Sequence, residues 1–314
     1  MRAAQALNEI ARIGREAPEL AAYQQEPPQM ASGIPGKCGY LRLEFARRGQ
    51  RSVLAHMERR APSLVQRALY WDEAMPHMPC VFMISTSGCL LQGDRQALDI
   101  HMSAGACGHV TTQAATKIHA MSHNYAAQHQ QITLEEESYL ELLPDPVIPH
   151  SGSRYFSTTQ VTIHPTATLL YGEIVTSGRK HHAADGGFNF DLYSSTIGAQ
   201  ASDGAELFSE RYLLTPKTQP LNIAGVMGSF SVFGNLILLT PMRHHAAILQ
   251  RTLPVYDATA GIACGASLLP NQCGLIFKAL GDEAHQVKSA LRAFWQVARE
   301  EITGASLMPA FLWR

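Results

Sequence analysis

Two short stretches of the sequence carry polar side chains that could serve a metal ion or a turn. Residues 87–94 read SGCLLQGD, in which Gly93 and then Asp94 close an apolar centre. Residues 111–117 read TTQAATK and supply three hydroxyls and one cation, from Thr111, Thr112, Thr116 and Lys117. An acid that ends an apolar turn must face water or meet a partner. The first stretch lacks the GK[ST] ending of a phosphate-binding loop, so a sheet turn that needs glycine dihedrals is the stronger interpretation.

Two further segments place an acid among apolar neighbours. The run LELLPDPVIPH, residues 140–150, carries Glu141. The run YGEIVTSGR, residues 171–179, carries Glu173 and ends in Arg179. A lone glutamate in such a strand usually faces solvent, and one that points inward must be paired, neutral or on a polar channel. The residues themselves leave these alternatives open.

The fourteen histidines suggest a metal centre, but their spacing does not support one. His119 and His123 lie four apart in HAMSH, yet the glutamate of HExxH is absent and the flanks indicate strand and loop. The neighbouring pairs His181-His182 and His244-His245 would point to opposite faces of a strand. No GxSxG motif marks a nucleophile. A metal-dependent hydrolase that uses clustered histidines and Glu173 remains an alternative.

Length and composition bound the class of protein. The chain has 314 residues, enough for one large or two modest domains. Charged residues make up 16% and the formal net charge is −1, so no electrostatic attraction to nucleic acid or to an anionic membrane is indicated. The first residues contain Arg and Glu where a secretory signal needs an apolar core, and no run of about 18 apolar residues occurs. We therefore expect a cytoplasmic protein that binds neither nucleic acid nor membrane.

The elements that hold these residues are predicted to be mainly strands. Apolar residues alternate with polar ones at 41–46, 98–103 and 188–193, which is typical of strands with one buried face. Gly234-Asn235 between two apolar runs predicts a two-residue hairpin. Turn residues recur and few long helical patterns intervene, which favours antiparallel strands over β-α-β units. Further strands are predicted at residues 80–86, 129–134, 158–163 and 169–175.

Helical patterns gather toward the C-terminal end of the chain. A stripe of apolar residues predicts a helix over about 283–302, with Gly304 at its stop. A shorter helix is predicted at 244–251. Residues 1–36 are expected to form an N-terminal arm, either a short helix with a linker or a disordered segment. Residues 37–314 would then form a single domain.

Taken in order, four motifs resemble the urease accessory protein UreD (UreH) family. The family pattern is a Gly-Gly-x-x-x-Gly-Asp turn, a Thr-Thr-x-x-x-[Ser/Thr]-Lys strand, Leu-Glu-x-Leu-Pro and a Gly-Arg pair. The sequence departs from this pattern at two places. Ser87-Gly88-Cys89 stands where the pattern has its first two glycines. His119 stands where the pattern has an aromatic residue, and it would fill a packing position there. The matching segments are residues 87–94, 111–117, 140–144 and 178–179, and residues 265–267 and 311–314 also fit.

The resemblance implies a fold and a function. The fold would be mainly β, with antiparallel sheets stacked in a two-layered, β-helix-like arrangement and a helical C-terminal piece. The function would be that of a non-enzymatic chaperone of urease maturation, which binds UreF, recruits the GTPase UreG through it and docks on apo-urease. Ni²⁺ would be a transient cargo in an internal polar passage, with no tightly bound cofactor. A structural adaptor that never touches nickel would make the same interfaces and remains open.

A passage for Ni²⁺ requires ligands that release the ion. Scattered oxygen donors, encountered mostly one at a time, bind more weakly than a closed cage of Cys and His. We expect Lys117 to pair with an inward carboxylate and so stabilise it. The expected passage lining is Asp94, Glu141, Glu173, Thr111, Thr112 and Thr116. The expected supporting residues are Lys117, Gly93 and Arg179.

Overall fold

The computed structural model describes residues 3–26, 36–180 and 187–309. The α-helices are α1 (Ala3–Ala11), α2 (His245–Arg251) and α3 (Ala284–Thr303). The strands are β1 (Cys38–Arg48), β2 (Arg51–Arg60), β3 (Ser63–Leu64), β4 (Cys80–Ser85), β5 (Arg95–Met102), β6 (Cys107–Thr112), β7 (Thr116–Ile118), β8 (Ala126–Leu134), β9 (Tyr139–Leu142), β10 (Val147–Pro149), β11 (Arg154–Ile163), β12 (Thr168–Thr176), β13 (Leu192–Ala201), β14 (Glu206–Leu214), β15 (Val232–Leu239), β16 (Val255–Asp257), β17 (Ile262–Leu268) and β18 (Gly274–Gly281). Residues 27–35 of the predicted N-terminal arm, the pair His181-His182 and the terminal motif 311–314 lie outside the described residues.

Two sheets carry these strands. The first has seven strands in the order β14-β13-β11-β8-β5-β1-β2, and the second has eleven, including β16-β17-β18-β15-β12-β9-β6-β4-β3. In the first sheet β1, β5, β8, β11 and β13 pair in parallel, and the edge strands β2 and β14 pair antiparallel. In the second sheet β4, β6, β9 and β12 are parallel. The prediction of antiparallel sheets is therefore wrong for the centre of both sheets.

The parallel pairing arises because the chain alternates between the sheets. β5, β8 and β11 lie in the first sheet, while β6, β9 and β12, which follow them in turn, lie in the second. Parallel neighbours need a crossover connection, which is usually a helix. Here a strand of the opposite sheet takes the place of that helix, so the scarcity of helical patterns pointed to the wrong pairing. A mainly β fold with a C-terminal helix is confirmed, whereas the β-helix-like stacking stays a prediction.

Most predicted strands are found, with two exceptions. β1 and β5 bury alternate residues as predicted. Phe188 and Phe190 are buried, but the strand begins only at Leu192. The predicted hairpin at Gly234-Asn235 is also wrong, because β15 runs through both residues. Gly234 is needed there for packing, since a Cβ at this position would lie 2.6 Å from Cγ1 of Val287 on α3.

The core lies between the two sheets. α2 and α3 cover the outer face of the second sheet, whereas α1 contacts β1 and β5 of the first sheet. Side chains of β1, β5, β8 and β11 pack against those of β6, β9, β12 and β15 in one apolar cluster. A second cluster joins the outer face of the second sheet to α2 and α3. α3 begins with a capping box between Glu283 and Gln286 and ends at Gly304 in the left-handed conformation, as predicted. No helix among the described residues has both the length and the apolar character that a membrane span requires.

Candidate functional site

The two stretches with which the sequence analysis began line one cavity between the sheets. This cavity has a volume of about 310 Å³. Residues 88–90 of the first stretch and residues 112–117 of the second form part of its wall. Gln96, Leu98 and Gln128 of the first sheet lie on the opposite side. The structure therefore brings both motifs to the same polar space, although not with every residue that was expected to line it.

Asp94 is a structural anchor of the turn. Its fully buried carboxylate accepts hydrogen bonds from the backbone N–H groups of Gly36 at 3.1 Å, Lys37 at 2.9 Å and Leu91 at 2.9 Å. Gly93 has φ 79°, the left-handed conformation that turns the chain into this position. Burial raises the pKa of Asp94, and the three N–H donors oppose that rise. Both carboxylate oxygens are thus already engaged, and Asp94 is not part of the cavity wall.

Glu141 lies on the other side of the second sheet, beneath α3. Its Oε1 accepts hydrogen bonds from Tyr139 at 2.7 Å and Trp295 at 2.8 Å, and lies 2.9 Å from Nε of Arg299. Its Oε2 lies 2.8 Å from Nδ1 of His109. Although burial opposes ionisation, the Arg299 guanidinium and the hydrogen bonds lower the pKa of Glu141 to about 2. This carboxylate is therefore a saturated member of a buried ion network.

The threonines of the second stretch are divided between the two faces of the sheet. Neighbouring residues of a strand point to opposite sides. The Thr111 hydroxyl donates to the carbonyl of Leu143 at 2.7 Å and lines a cavity of about 270 Å³ beneath α3. Thr112 and Thr116 line the cavity between the sheets, and the Thr112 hydroxyl accepts a hydrogen bond from the N–H of Asp145 at 2.9 Å. The prediction that all three threonines line one passage is not compatible with the alternation of side chains along the strand.

Glu173 is held between the sheets by hydroxyl groups. Its half-buried side chain accepts hydrogen bonds from Tyr193 at 2.9 Å, from Ser195 at 3.4 Å and from Tyr212. Burial raises the pKa of Glu173, and these hydrogen bonds lower it only in part. In the part of the chain that the structure describes, no cation lies within ion-pair distance of this carboxylate. Glu173 thus differs from Asp94 and Glu141 in having only neutral hydroxyl donors.

A layer of polar side chains surrounds Glu173 and reaches the cavity. The Tyr155 hydroxyl donates to Oε1 of Gln128, which belongs to the cavity wall. The rings of Tyr155 and Tyr193 lie 5.3 Å apart, and the Tyr193 hydroxyl contacts Glu173. This layer was not predicted from the sequence. A signal existed, because positions 128, 130, 132 and 134 share one face of β8 and the first two are glutamine. The other polar members of the layer are Gln130, Thr159, Tyr171, Ser195 and Tyr212.

Comparison with known proteins identifies the family. The sequence matches the family description "UreD urease accessory protein" over residues 37–314.

The chain belongs to the UreD family.

The UreD relatives match over nearly their whole length. "Urease accessory protein UreD" of Photorhabdus laumondii is 67% identical over 302 residues, which cover 96% of this chain and 94% of the relative. The protein of the same name from Yersinia pseudotuberculosis is 59% identical over 302 residues, with the same two coverages. "Urease accessory protein UreD 2" of Brucella suis is 51% identical over 298 residues, which cover 95% of this chain and 99% of the relative. The resemblance inferred from four motifs is confirmed.

Two of the UreD motif residues lie at the surface. Lys117 is exposed, and the ion pairs of the described residues do not include it, so the predicted pairing with an inward carboxylate is wrong. Arg179 is exposed beside a separate cavity. Among residues 3–26, 36–180 and 187–309, no three His, Cys, Asp or Glu side chains lie close enough together to hold a metal ion.

Proposed function

We propose that this UreD chain is a non-enzymatic scaffold of urease maturation in the cytoplasm. It docks UreF, and through UreF the GTPase UreG, on apo-urease, and it lets Ni²⁺ pass through the polar layer between its sheets. The role in urease maturation is supported by membership of a family whose members are named urease accessory proteins. The observation that carries the passage is Glu173, a carboxylate between the sheets whose donors are hydroxyl groups.

Neutral donors suit a carboxylate that meets a moving cation. A hydroxyl can rotate and present its oxygen to a metal ion as readily as it donates its hydrogen. An arriving Ni²⁺ would compensate the charge of Glu173, whose environment otherwise opposes ionisation. Single oxygen ligands release such an ion more easily than a closed cage does. Glu173 is therefore the residue to which we expect Ni²⁺ to bind transiently.

The expected lining residues fall into two groups. We propose that Glu173, Thr112 and Thr116 line the passage, together with the tyrosines of the polar layer. We assign Asp94 and Glu141 to the structural frame, meaning residues that stabilise the fold without lining the passage. Backbone N–H groups already occupy the oxygens of Asp94, and Arg299 contacts Glu141. Thr111 joins the frame because it donates to the carbonyl of Leu143.

An exposed apolar surface supports the docking part of the proposal. A groove of about 480 Å³ runs between α3 and the hairpin formed by β16 and β17. Leu253 and Tyr256 beside it are 74% and 77% exposed. Exposed apolar groups gathered in one place mark surfaces that bind other proteins. We assign this groove, called the α3 groove below, to an accessory partner that stays bound, as in permanent complexes.

A structural adaptor without nickel contact is the second candidate. The full hydrogen bonding of Asp94 and Glu141 favours it, because neither acid needs a metal ion to satisfy its charge. The two functions share their interfaces and differ only in what Glu173 does.

Substitution of Glu173 tests the proposal. Glu173→Gln keeps the size of the side chain and removes its charge. The scaffold with a passage predicts that UreF and apo-urease are captured as by the wild type, while urease activity per added nickel falls at least about ten-fold. Leu253→Ser is the matched variant for docking, since it lies at the α3 groove and should weaken capture of a partner. If urease is activated normally with Glu173→Gln, the passage is contradicted and the structural adaptor without nickel contact becomes the proposed function.

A further inference from the structure

A small cavity apart from the proposed passage is lined by basic side chains. It has a volume of about 260 Å³. His119, His150 and Arg179 line it together with the polar residues Ser151 and Asn189. The two histidine rings lie 5.8 Å apart. Arg179 belongs to a motif that the proposed passage leaves unused.

The backbone holds these residues at fixed positions. β7 and β10 pair in parallel, and the N–H of His150 donates to the carbonyl of Ile118 at 2.9 Å, which places His150 beside the end of β7. Gly178 has φ 106°, and a Cβ there would lie 2.5 Å from the carbonyl oxygen of Pro149. Only glycine allows this close approach. The Gly-Arg pair therefore turns tightly against Pro149 and brings Arg179 to the same cavity as His150.

The positive charge of this cavity is not balanced by the described residues. Burial, and then Arg179, His119 and Lys117, all lower the pKa of His150. None of these four side chains takes part in an ion pair within the described ranges. The lowered pKa favours the neutral form of His150, which keeps one N–H donor beside the positive charge of Arg179, and a bound anion would offset that charge.

We propose that this cavity binds a small oxyanion, of the class of phosphate or bicarbonate. A guanidinium offers two parallel N–H donors that match two oxygens of such an anion. The imidazole N–H groups and the Ser151 hydroxyl supply further donors. A metal ion fits poorly, because the guanidinium repels a cation and only two histidines line the cavity among the described residues. This site goes beyond the proposed nickel passage and does not depend on it.

Titration of the full chain with each anion tests the site. The protein is labelled with ¹⁵N in histidine, and its NMR spectrum is followed as inorganic phosphate or bicarbonate replaces chloride at constant ionic strength. We expect the signals of His119 and His150, assigned with His119→Gln and His150→Gln, to shift together and to saturate. A dissociation constant on the order of 1 mM is expected for at least one of the two anions.

Two arginine variants separate the site from general attraction of anions. Arg179→Gln should weaken binding at least about ten-fold, because the bidentate donor is lost. Arg67→Gln is the matched control, since Arg67 is an exposed arginine outside this cavity and its loss should leave the titration unchanged. Shifts that do not saturate, or that are the same in Arg179→Gln, would overturn the proposal. If Arg179→Gln does not fold, as the remaining histidine signals would show, the wild-type titration alone decides.

Discussion

The guanidinium of Arg299 lies 2.9 Å from Oε1 of Glu141, and both side chains are completely buried. The same guanidinium lies 2.6 Å from Oδ2 of Asp72, which is also buried. Arg299 is on α3, Glu141 is on β9 and Asp72 is in the connection between β3 and β4. One cation therefore joins the C-terminal helix to the second sheet and to an early loop.

Removing that cation should destabilise the protein strongly. Arg299→Leu leaves two buried carboxylates without their partner, and we expect the free energy of unfolding to fall by about 3–5 kcal/mol. Arg12→Leu is the control, because Arg12 and Glu16 of its ion pair are 69% and 90% exposed and its loss should cost less than about 1 kcal/mol. Urea unfolding of both variants makes the comparison. Equal losses of unfolding free energy in the two variants would contradict the role of Arg299 in holding α3 to the second sheet.

Glu141 should make the stability fall in acid. Its pKa is lowered from 4.5 to about 2 in the folded protein, so its contribution is fully present above pH 4.5 and is lost as the pH falls toward 2. Glu141→Gln lacks this contribution at every pH. The free energies of unfolding of wild type and variant, measured from pH 6 downward, should therefore approach each other in this window. A constant difference would show that Glu141 does not titrate as its contacts indicate.

Glu173 should behave in the opposite way. Its pKa is raised in the folded protein, so its charged form opposes folding and the stability falls as the pH rises through the unfolded and then the folded pKa. Glu173→Gln removes that penalty, and we expect this variant to be at least as stable as the wild type at pH 7. Urea unfolding at pH 7 measures it beside Glu141→Gln, which should be less stable. A marked loss of stability in Glu173→Gln would argue for a structural carboxylate.

Asp94 should act through the fold. Asp94→Ala removes the acceptor of three backbone N–H groups, and we expect a loss on the order of 3 kcal/mol. Because the turn is then loosened, capture of partners and activation of urease should fall together. A variant that binds its partners normally but fails to activate urease would instead return Asp94 to the passage.

Gly234 should be intolerant of a side chain. A Cβ there would lie 2.6 Å from Val287 on α3, and overpacking of this kind costs about 1–3 kcal/mol. Gly265→Ala is the control within the same sheet, since its Cβ would lie 3.5 Å from Pro254, an ordinary contact. Thermal unfolding of the two alanine variants should separate them by several degrees.

The sequence predicts the strands of this fold better than their partners. The alternation at residues 41–46 depends on one buried face, which is a local property, and it is confirmed in β1. Pairing direction depends on where the chain goes between strands, and nothing within a strand records that its crossover is a strand of the other sheet. Gly234 led to the wrong prediction of a hairpin for a similar reason. A glycine is needed there because α3, some fifty residues later in the chain, packs against it.

The candidate site shows the same division. Motif order led to the correct family and to two stretches that share a cavity. It did not predict that Thr111 and Thr112 face opposite sides, although the strand period implies it. The contacts of Glu141 with Arg299 and of Glu173 with Tyr212 span 158 and 39 positions. Contacts at such separations are set by packing and leave no local trace.

The alternation of the chain between the sheets also bears on how the molecule assembles. Each pass from β5 to β12 adds one strand to the first sheet and at least one to the second, so neither sheet can be completed while the other is unfinished. Deleting any pass would leave matching gaps in both layers and would open the core along its full width. The two sheets must therefore form and come apart as one cooperative unit, and no fragment that ends between β5 and β12 would carry a finished layer.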